Sequence, residues 1–271
     1  MEAFVRHRDQ GEATTDLLCV VAHPDDESFG LGSVLASAAA AGLRVALVCA
    51  TRGETGEDAT GKLCSNEQLG VVREREVRSA AVELGVVEVE VLDFVDSGWD
   101  GPAPEGALVS ADDLLVRAVH GALDRHRPRV VVTMDPTGSD GHRDHAAIGR
   151  ATTTAFMQYD PAGAASLYHW CLIRSLMNRW TAERAGDAGV YGEQPLGRPD
   201  DQITTVLDGR HVLDVRRRAI AAHATQASLF AGLSPELESA FLAEDHLVRI
   251  VPAWEGGPTE RALVGLQLAQ R

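Results

Sequence analysis

Two short clusters of histidine and carboxylate hold the reactive side chains of this sequence. They are Ala22-His23-Pro24-Asp25-Asp26-Glu27 and Gly141-His142-Arg143-Asp144-His145. Carboxylates in a row, as at Asp25, Asp26 and Glu27, repel one another unless a cation or water separates them. An imidazole and a carboxylate three apart, His23 and Asp26, suit a divalent metal, with Zn2+ the first candidate. His145 adds a third ligand, the number a catalytic zinc site takes while keeping one position open for water. Fe2+ fits the same donors, because ligand type alone does not separate the two metals. Asp25, beside a ligand without being one, is placed to act as general base on water. His142 is the candidate donor to the oxyanion formed when water attacks a carbonyl, and Asp144 the carboxylate that orients His142. Glu27 is close by and has no step assigned to it.

Each cluster needs an element that ends beside the other. Both follow apolar, β-branched runs that read as buried strands, at 17–23 and 129–135. Further strands are expected at 44–51 and 88–94, with helices at 33–41, 65–84, 111–125 and 145–156. Gly42 and Gly85 stand where helix C-caps belong. This alternation predicts an α/β, Rossmann-like fold, a mainly parallel sheet with helices on both faces. The C-terminal third is less regular, with strands expected at 166–173, 202–207 and 246–252 and a helix at 213–229. A single domain over 1–271 follows, with a polar extension at 1–16 and a substrate-specific elaboration at 160–271. In open α/β sheets ligands bind beyond the carboxyl ends of strands at a topological switch point, where the two clusters can meet.

Composition narrows the partners. Apolar residues at 45% with 24% charged predict a folded core. A net charge of −15 argues against nucleic acid or an anionic membrane. Residues 1–16 lack the apolar stretch of a secretory signal, and no run is long enough to span a bilayer. Cys19, Cys49, Cys64 and Cys171 show no CxxC spacing and read as reduced thiols of a cytoplasmic protein. Gly30-Leu31-Gly32 matches part of a dinucleotide fingerprint, but the third glycine is missing and the preceding acidic run would repel a pyrophosphate. A two-metal phosphoesterase needs more ligands than three. The residues leave a metal-dependent amidohydrolase, or a module that holds a sugar or nucleotide without reacting it.

Four further segments occur in the same order as in a known family: Thr51-Arg52-Gly53-Glu54, Arg73-Glu74-Arg75-Glu76, Asp96-Ser97-Gly98 and Ala222-His223-Ala224-Thr225-Gln226. With the two clusters, they resemble the LmbE-like (PIG-L) family of zinc-dependent N-acetylglucosamine deacetylases, over residues 17 to about 250. The resemblance implies a Rossmann-like fold and hydrolysis of the N-acyl group of a glucosamine unit in a small-molecule glycoside. It also implies zinc on His23, Asp26 and His145, Asp25 as base, and His142 with Asp144 on the oxyanion and leaving-amine side. Arg73 and Asp96 match positions that contact sugar hydroxyls, and Glu54 and His223 lie in matching segments and join them as substrate contacts.

Trp170 and the Met- and Trp-containing run at 175–180 adjoin a Gly/Pro-rich stretch at 181–201. Together, as 175–201, they suit a lid over an apolar part of a large substrate. Two positions depart from the family pattern. Arg143 replaces a proline, and its side chain is expected to point outward and leave the loop less rigid. Asp140 stands where mycothiol-pathway members carry a tyrosine, and a carboxylate donates poorly to an oxyanion. The expected substrate is therefore a natural-product glycoside such as a glycopeptide-antibiotic pseudoaglycone. The alternative is a mycothiol or bacillithiol precursor, an N-acetylglucosaminyl inositol or malate.

Overall fold

The computed structural model describes residues 15–63, 65–160, 164–184, 195–227, 230 and 232–268. The chain runs β1 (Thr15–Val21), α1 (Asp26–Phe29), α2 (Gly32–Ala40), β2 (Val45–Thr51), α3 (Asn66–Leu84), β3 (Glu88–Phe94), α4 (Asp112–His126) and β4 (Pro128–Met134). It continues through α5 (Arg143–Tyr159), β5 (Ser166–Trp170), α6 (Arg174–Glu183), β6 (Thr205–Asp208), α7 (Leu213–Ala222), α8 (Pro235–Ala243) and β7 (Glu244–Val251). The strands form one sheet in the order β3-β2-β1-β4-β5-β7-β6. From β3 to β5 neighbours are parallel, while β7 lies antiparallel between β5 and β6. The mainly parallel α/β architecture read from the sequence is the one present.

Strands β1, β2 and β4 are apolar and buried along almost their whole length, as strands covered on both faces must be. Edge strand β3 is half exposed and alternates charge with apolar residues. The chain leaves β1 toward β2 and leaves β4 toward β5, so the switch point lies between β1 and β4. Both clusters follow these two strands. Helix α3 is capped by Ser65, whose side chain accepts from the Gln68 amide, and by Gly85 at φ 76°.

Several boundaries differ from expectation for local reasons. Residues 26–29 form the short helix α1 where the sequence suggested only a turn, because the Asp25 and Asp26 carbonyls accept from Ser28, Phe29 and Gly30 amides. Helix α5 starts at Arg143 rather than 145, since the His142 side chain caps it. Helix α7 stops at Ala222, short of the expected 229, as His223 is drawn aside to a buried carboxylate. Strand β5 ends at Trp170, and helix α8 was not foreseen. His126, at the end of α4, is 3% exposed and lies 3.6 Å from Glu90.

Helices α6 and α8 build a second, smaller apolar core from Leu176, Met177, Trp180, Phe230, Leu237 and Phe241. The Met- and Trp-containing run is thus one face of α6, with apolar residues at helical spacing. Residues 185–194 of the expected lid, and 1–14 of the polar extension, lie outside the described residues. Arg216 of α7 joins this region to the first cluster. It pairs with Asp245 of β7 at 2.9 Å and donates to the carbonyls of Ser28, Phe29 and Gly30. A Cβ on Gly32 would meet its Cγ at 2.6 Å, so the second glycine of the apparent dinucleotide fingerprint makes room for Arg216. Among the described residues no helix is long and apolar enough to cross a membrane.

Candidate active site

The first cluster is folded back on itself. Asp26 Oδ2 accepts from the backbone N–H groups of Ala22 (3.1 Å) and His23 (2.8 Å), which fixes the carboxylate. Its Oδ1 is 3.0 Å from His145 Nε2, that nitrogen is 3.2 Å from His23 Nδ1, and His23 Nδ1 is 3.8 Å from Asp26 Oδ2. Tetrahedral zinc with donors at about 2.0–2.1 Å separates its ligand atoms by about 3.3 Å. The three groups fit such an ion.

The outer nitrogens point the same way. His23 Nε2 meets Asp144 Oδ2 at 3.2 Å and Asp96 Oδ1 at 3.5 Å, while His145 Nδ1 meets Asp140 Oδ2 at 2.5 Å. A carboxylate behind each imidazole holds the proton on the outer nitrogen and leaves the inner one as a donor to metal. Burial drives the His23 pKa down, but Asp144 and Asp96 overcome it and lift the group to about 9. Burial likewise opposes an ionised Asp26, yet His145 and His23 hold its carboxyl below the usual range. The carboxylates around the two imidazoles thus favour a positive charge at this position. His142 also brings a nitrogen within 4.8 Å of those of His23 and His145. Its Nδ1 accepts from the Asp144 amide at 3.1 Å, while Asp26 Oδ1 is 3.0 Å from His145 Nε2 with its carboxylate fixed by two backbone amides.

Asp25 has φ 120°, a conformation that side-chain-bearing residues rarely adopt and that costs about 1–3 kcal/mol. Its surroundings enforce it. The Asp25 amide donates to Glu27 Oε2 at 2.9 Å, and Arg73 Nη2 donates to Asp25 Oδ2 at 3.0 Å and to the Pro24 carbonyl at 2.5 Å. Glu27 is itself fixed by Ser28 Oγ and His223 Nε2, both at 2.6 Å. The residue without an assigned step thus anchors the expected base. Burial raises the Asp25 carboxyl to about 6 against the pull of Arg73. Among the described residues its Oδ1 has no hydrogen-bond donor, which leaves that oxygen for water.

Two roles expected in the second cluster are corrected. Asp144 does not orient His142. Its Oδ2 accepts from His23 Nε2 and from the Ser97 amide at 2.9 Å, because the start of α5 directs it beneath the first cluster. His142 is oriented instead by the cap, which occupies Nδ1 as an acceptor and so leaves the proton on Nε2. Burial, then the charges of His23 and His145, lower the His142 pKa to about 3, so the ring is neutral and Nε2–H is a donor. Arg143 does not weaken its loop. Its guanidinium donates to the carbonyls of Ser97, Gly98 (2.7 Å) and Gly101 (2.9 Å), tying the loop after β3 to α5.

A cleft of about 720 Å³ opens over this group. Arg73, Asp96 and Trp170 line it, whereas Glu54 and His223 do not. Glu54 sits one layer back, where Oε1 accepts from the Asp96 amide at 3.0 Å. His223 serves Glu27. Arg73 is largely occupied in holding Pro24, Asp25 and the Gly53 carbonyl (2.6 Å). A Cβ at Gly53, φ 63°, would meet its Nη1 at 2.3 Å.

The sequence reading missed Asp140 as the partner of His145 and Trp99, whose ring lies edge-on to His142 at 5.0 Å between centroids. Asp140 was visible only as a replaced tyrosine. Trp99 follows the Asp96-Ser97-Gly98 segment directly and could have been included with it. Cys19, Cys49 and Cys171 are free and buried, and take no part in the donor group.

Fold and site together define a Rossmann-like α/β protein whose buried His-His-Asp group could hold a metal beside a strained carboxylate. The PIG-L family model, described as GlcNAc-PI de-N-acetylase, matches residues 18–156, and the chain belongs to that deacetylase family. It is similar to the 1D-myo-inositol 2-acetamido-2-deoxy-alpha-D-glucopyranoside deacetylase of Rhodococcus jostii, with 35% identity over 86% of this chain and 91% of that one. Among solved structures, 4-carboxy-2-hydroxymuconate hydratase from Pseudomonas putida superposes with TM-score 0.60 at 21% identity, over 90% of this chain and 99% of its own. A deacetylase of the teicoplanin biosynthesis pathway gives 0.58 at 18% identity, over 87% and 99%. These two likenesses concern the fold alone, and a hydratase beside a deacetylase shows that the fold does not choose the reaction.

Proposed function

We propose that the protein is a zinc-dependent deacetylase that removes the N-acetyl group from the glucosamine unit of an N-acetylglucosaminyl inositol. The supporting observation is the convergence of His23 Nδ1, Asp26 Oδ1 and His145 Nε2 beside Asp25. It occurs in a chain 35% identical to a deacetylase named for that glycoside. The glycopeptide pseudoaglycone gives way as favoured substrate, because the teicoplanin-pathway protein shares only 18% identity. Asp140 counted against the inositol glycoside as a poor donor. It is engaged with His145, and the donor is His142.

A zinc ion held by His23, Asp26 and His145 would supply Lewis acidity toward the amide carbonyl and a more acidic water. The chain's own groups account for the proton movements. Asp25 Oδ1 takes a proton from the attacking water while Arg73 holds Oδ2. His142 Nε2–H donates to the oxygen that gains charge. The C–N bond breaks as Asp25 returns its proton to the leaving amine, giving acetate and a free amino sugar. Asp96 and Thr55 line the cleft where sugar hydroxyls would be met.

The test is acetate release from N-acetylglucosaminyl inositol, a glycopeptide pseudoaglycone and free N-acetylglucosamine, each with and without chelator, alongside a metal count. One zinc per chain and chelator-sensitive release from the inositol glycoside are expected, and His145→Ala should lose both. Release from the pseudoaglycone alone would move the substrate back to that branch. A metal-free protein that binds a sugar or nucleotide without turnover would replace the enzyme by a binding module.

A further inference from the structure

The cleft has an aromatic-rich apolar wall on the β5 side, edged by Glu244 and His246. Groups able to meet hydroxyls lie on the β2 and β3 side, where Trp99, Pro102 and Pro104 also stand. Thr55, Glu57 and Asp96, able to meet hydroxyl groups, come from the loops after β2 and β3. Trp170 ends β5, and Leu172, Met177 and Trp180 follow it, with Phe29 and Phe230 completing the same wall. Strands β1 and β4, which deliver the His-His-Asp group, run between these two sides. Met134 of β4 pairs with Trp170, so the wall begins level with the end of the strand that leads to His142 and His145.

Asp25 belongs to the β2 and β3 side, since its Oδ2 is held by Arg73 of α3. The amine that receives the proton from Asp25, and the sugar bearing it, therefore lie toward β2 and β3. The remaining substituent on the carbonyl carbon is directed the opposite way, toward β5. An acetyl methyl covers little of a wall made from two indoles, two phenyl rings, a leucine and a methionine. A polyhydroxylated inositol gains nothing from it.

We propose that this wall is an acyl subsite, and that the enzyme prefers straight-chain N-acyl groups from butanoyl to octanoyl over acetyl on the glucosamine nitrogen. The proposal rests on the deacetylase reading above and specifies its acyl group. The bond change is the same: the amide C–N bond breaks, water gives its hydroxyl to the acyl carbon and its proton to the amine, and a fatty acid leaves in place of acetate.

The experiment uses acetyl, butanoyl, hexanoyl and octanoyl amides of both glucosaminyl inositol and methyl glucosaminide. It measures kcat/KM on the wild-type protein and Kd on the Asp25→Asn protein. A buried methylene is worth about fourfold, so hexanoyl should exceed acetyl by at least about tenfold in both quantities. Met177→Asp and Trp180→Ala should each lower the hexanoyl-to-acetyl ratio by about fivefold or more. A ratio within one preparation is insensitive to partial loss of folded protein. Tighter binding of hexanoyl than acetyl methyl glucosaminide sustains the subsite even if the inositol glycoside proves not to be a substrate. Equal or weaker binding of the longer chains overturns it, and if acetate is still released the deacetylase reading stands alone.

Discussion

Residues 15–160 and residues 164–268 solve different problems in one sheet. The first region carries the proposed donor group, base and donor, and Asp26, Asp25 and His142 are each oriented there by hydrogen bonds to named partners. The second contributes α6, α8 and a separate apolar core, and faces the cleft with aromatic and aliphatic side chains. The family model covers 18–156 and stops where the second region is about to begin. Proton transfer demands atoms held to a fraction of an ångström, which constrains residue type and spacing. An apolar wall demands only shape and hydrophobicity, which many sequences provide.

The sharpest way to test this division is to change one atom of the first region. Asp25→Asn should lower kcat by about a thousandfold, the middle of the range for a lost general base, with metal content unchanged by mass spectrometry. Asparagine also tolerates positive φ, so thermal unfolding should not fall. A loss of metal or of stability would show that Asp25 is structural. The division should fail at Arg216, which belongs to the second region and serves the first. Arg216→Met leaves Asp245 buried and unpaired, and unfolding in denaturant should show a loss of about 3–5 kcal/mol.

His169 lies on β5, at the seam, 4% exposed and 2.8 Å from Thr153 Oγ1. Burial lowers its pKa from 6.5 to about 4. The unfolded chain then binds the extra proton between those values, so stability falls as pH drops from about 6.5 to 4. The loss amounts to about 3 kcal/mol at most. His169→Gln should remove that part of the acid sensitivity, and an unchanged pH profile would exclude it as the cause. The smallest expected effect concerns Asp140. Asp140→Asn weakens the carboxylate behind His145 and should loosen metal binding by about 10–100-fold, measured by competition with a chelator.

The sequence revealed the first region better than the second, for physical reasons. Buried parallel strands such as β1, β2 and β4 read as continuous apolar runs, and these together with the alternating edge strand β3 fall within two residues of their expected bounds. The convergence of His23, Asp26 and His145 was legible because such residues are chemically unusual beside strand ends. The carboxylates behind them were not. Whether Asp144 serves His142 or His23 depends on how α5 begins, and that depends on a histidine cap that spacing does not disclose. His223 and Glu54 stand in the right segments one layer behind the cleft, a distinction of depth that a linear pattern lacks. Helix α8 escaped notice because its neighbours carry no chemistry to single them out.

Arg216 ties the two regions together mechanically. The helix that begins with Asp26 has its last carbonyls closed by a guanidinium from 188 residues downstream. A fragment ending at residue 160 would keep the proposed metal donors, base and oxyanion donor, yet leave that short helix unfinished. Grafting the C-terminal third of one relative onto the N-terminal part of another would carry positions 216 and 245 together. The swap must also bring space for that pair at position 32. The interchangeable part of this enzyme is larger than its specificity wall by those residues.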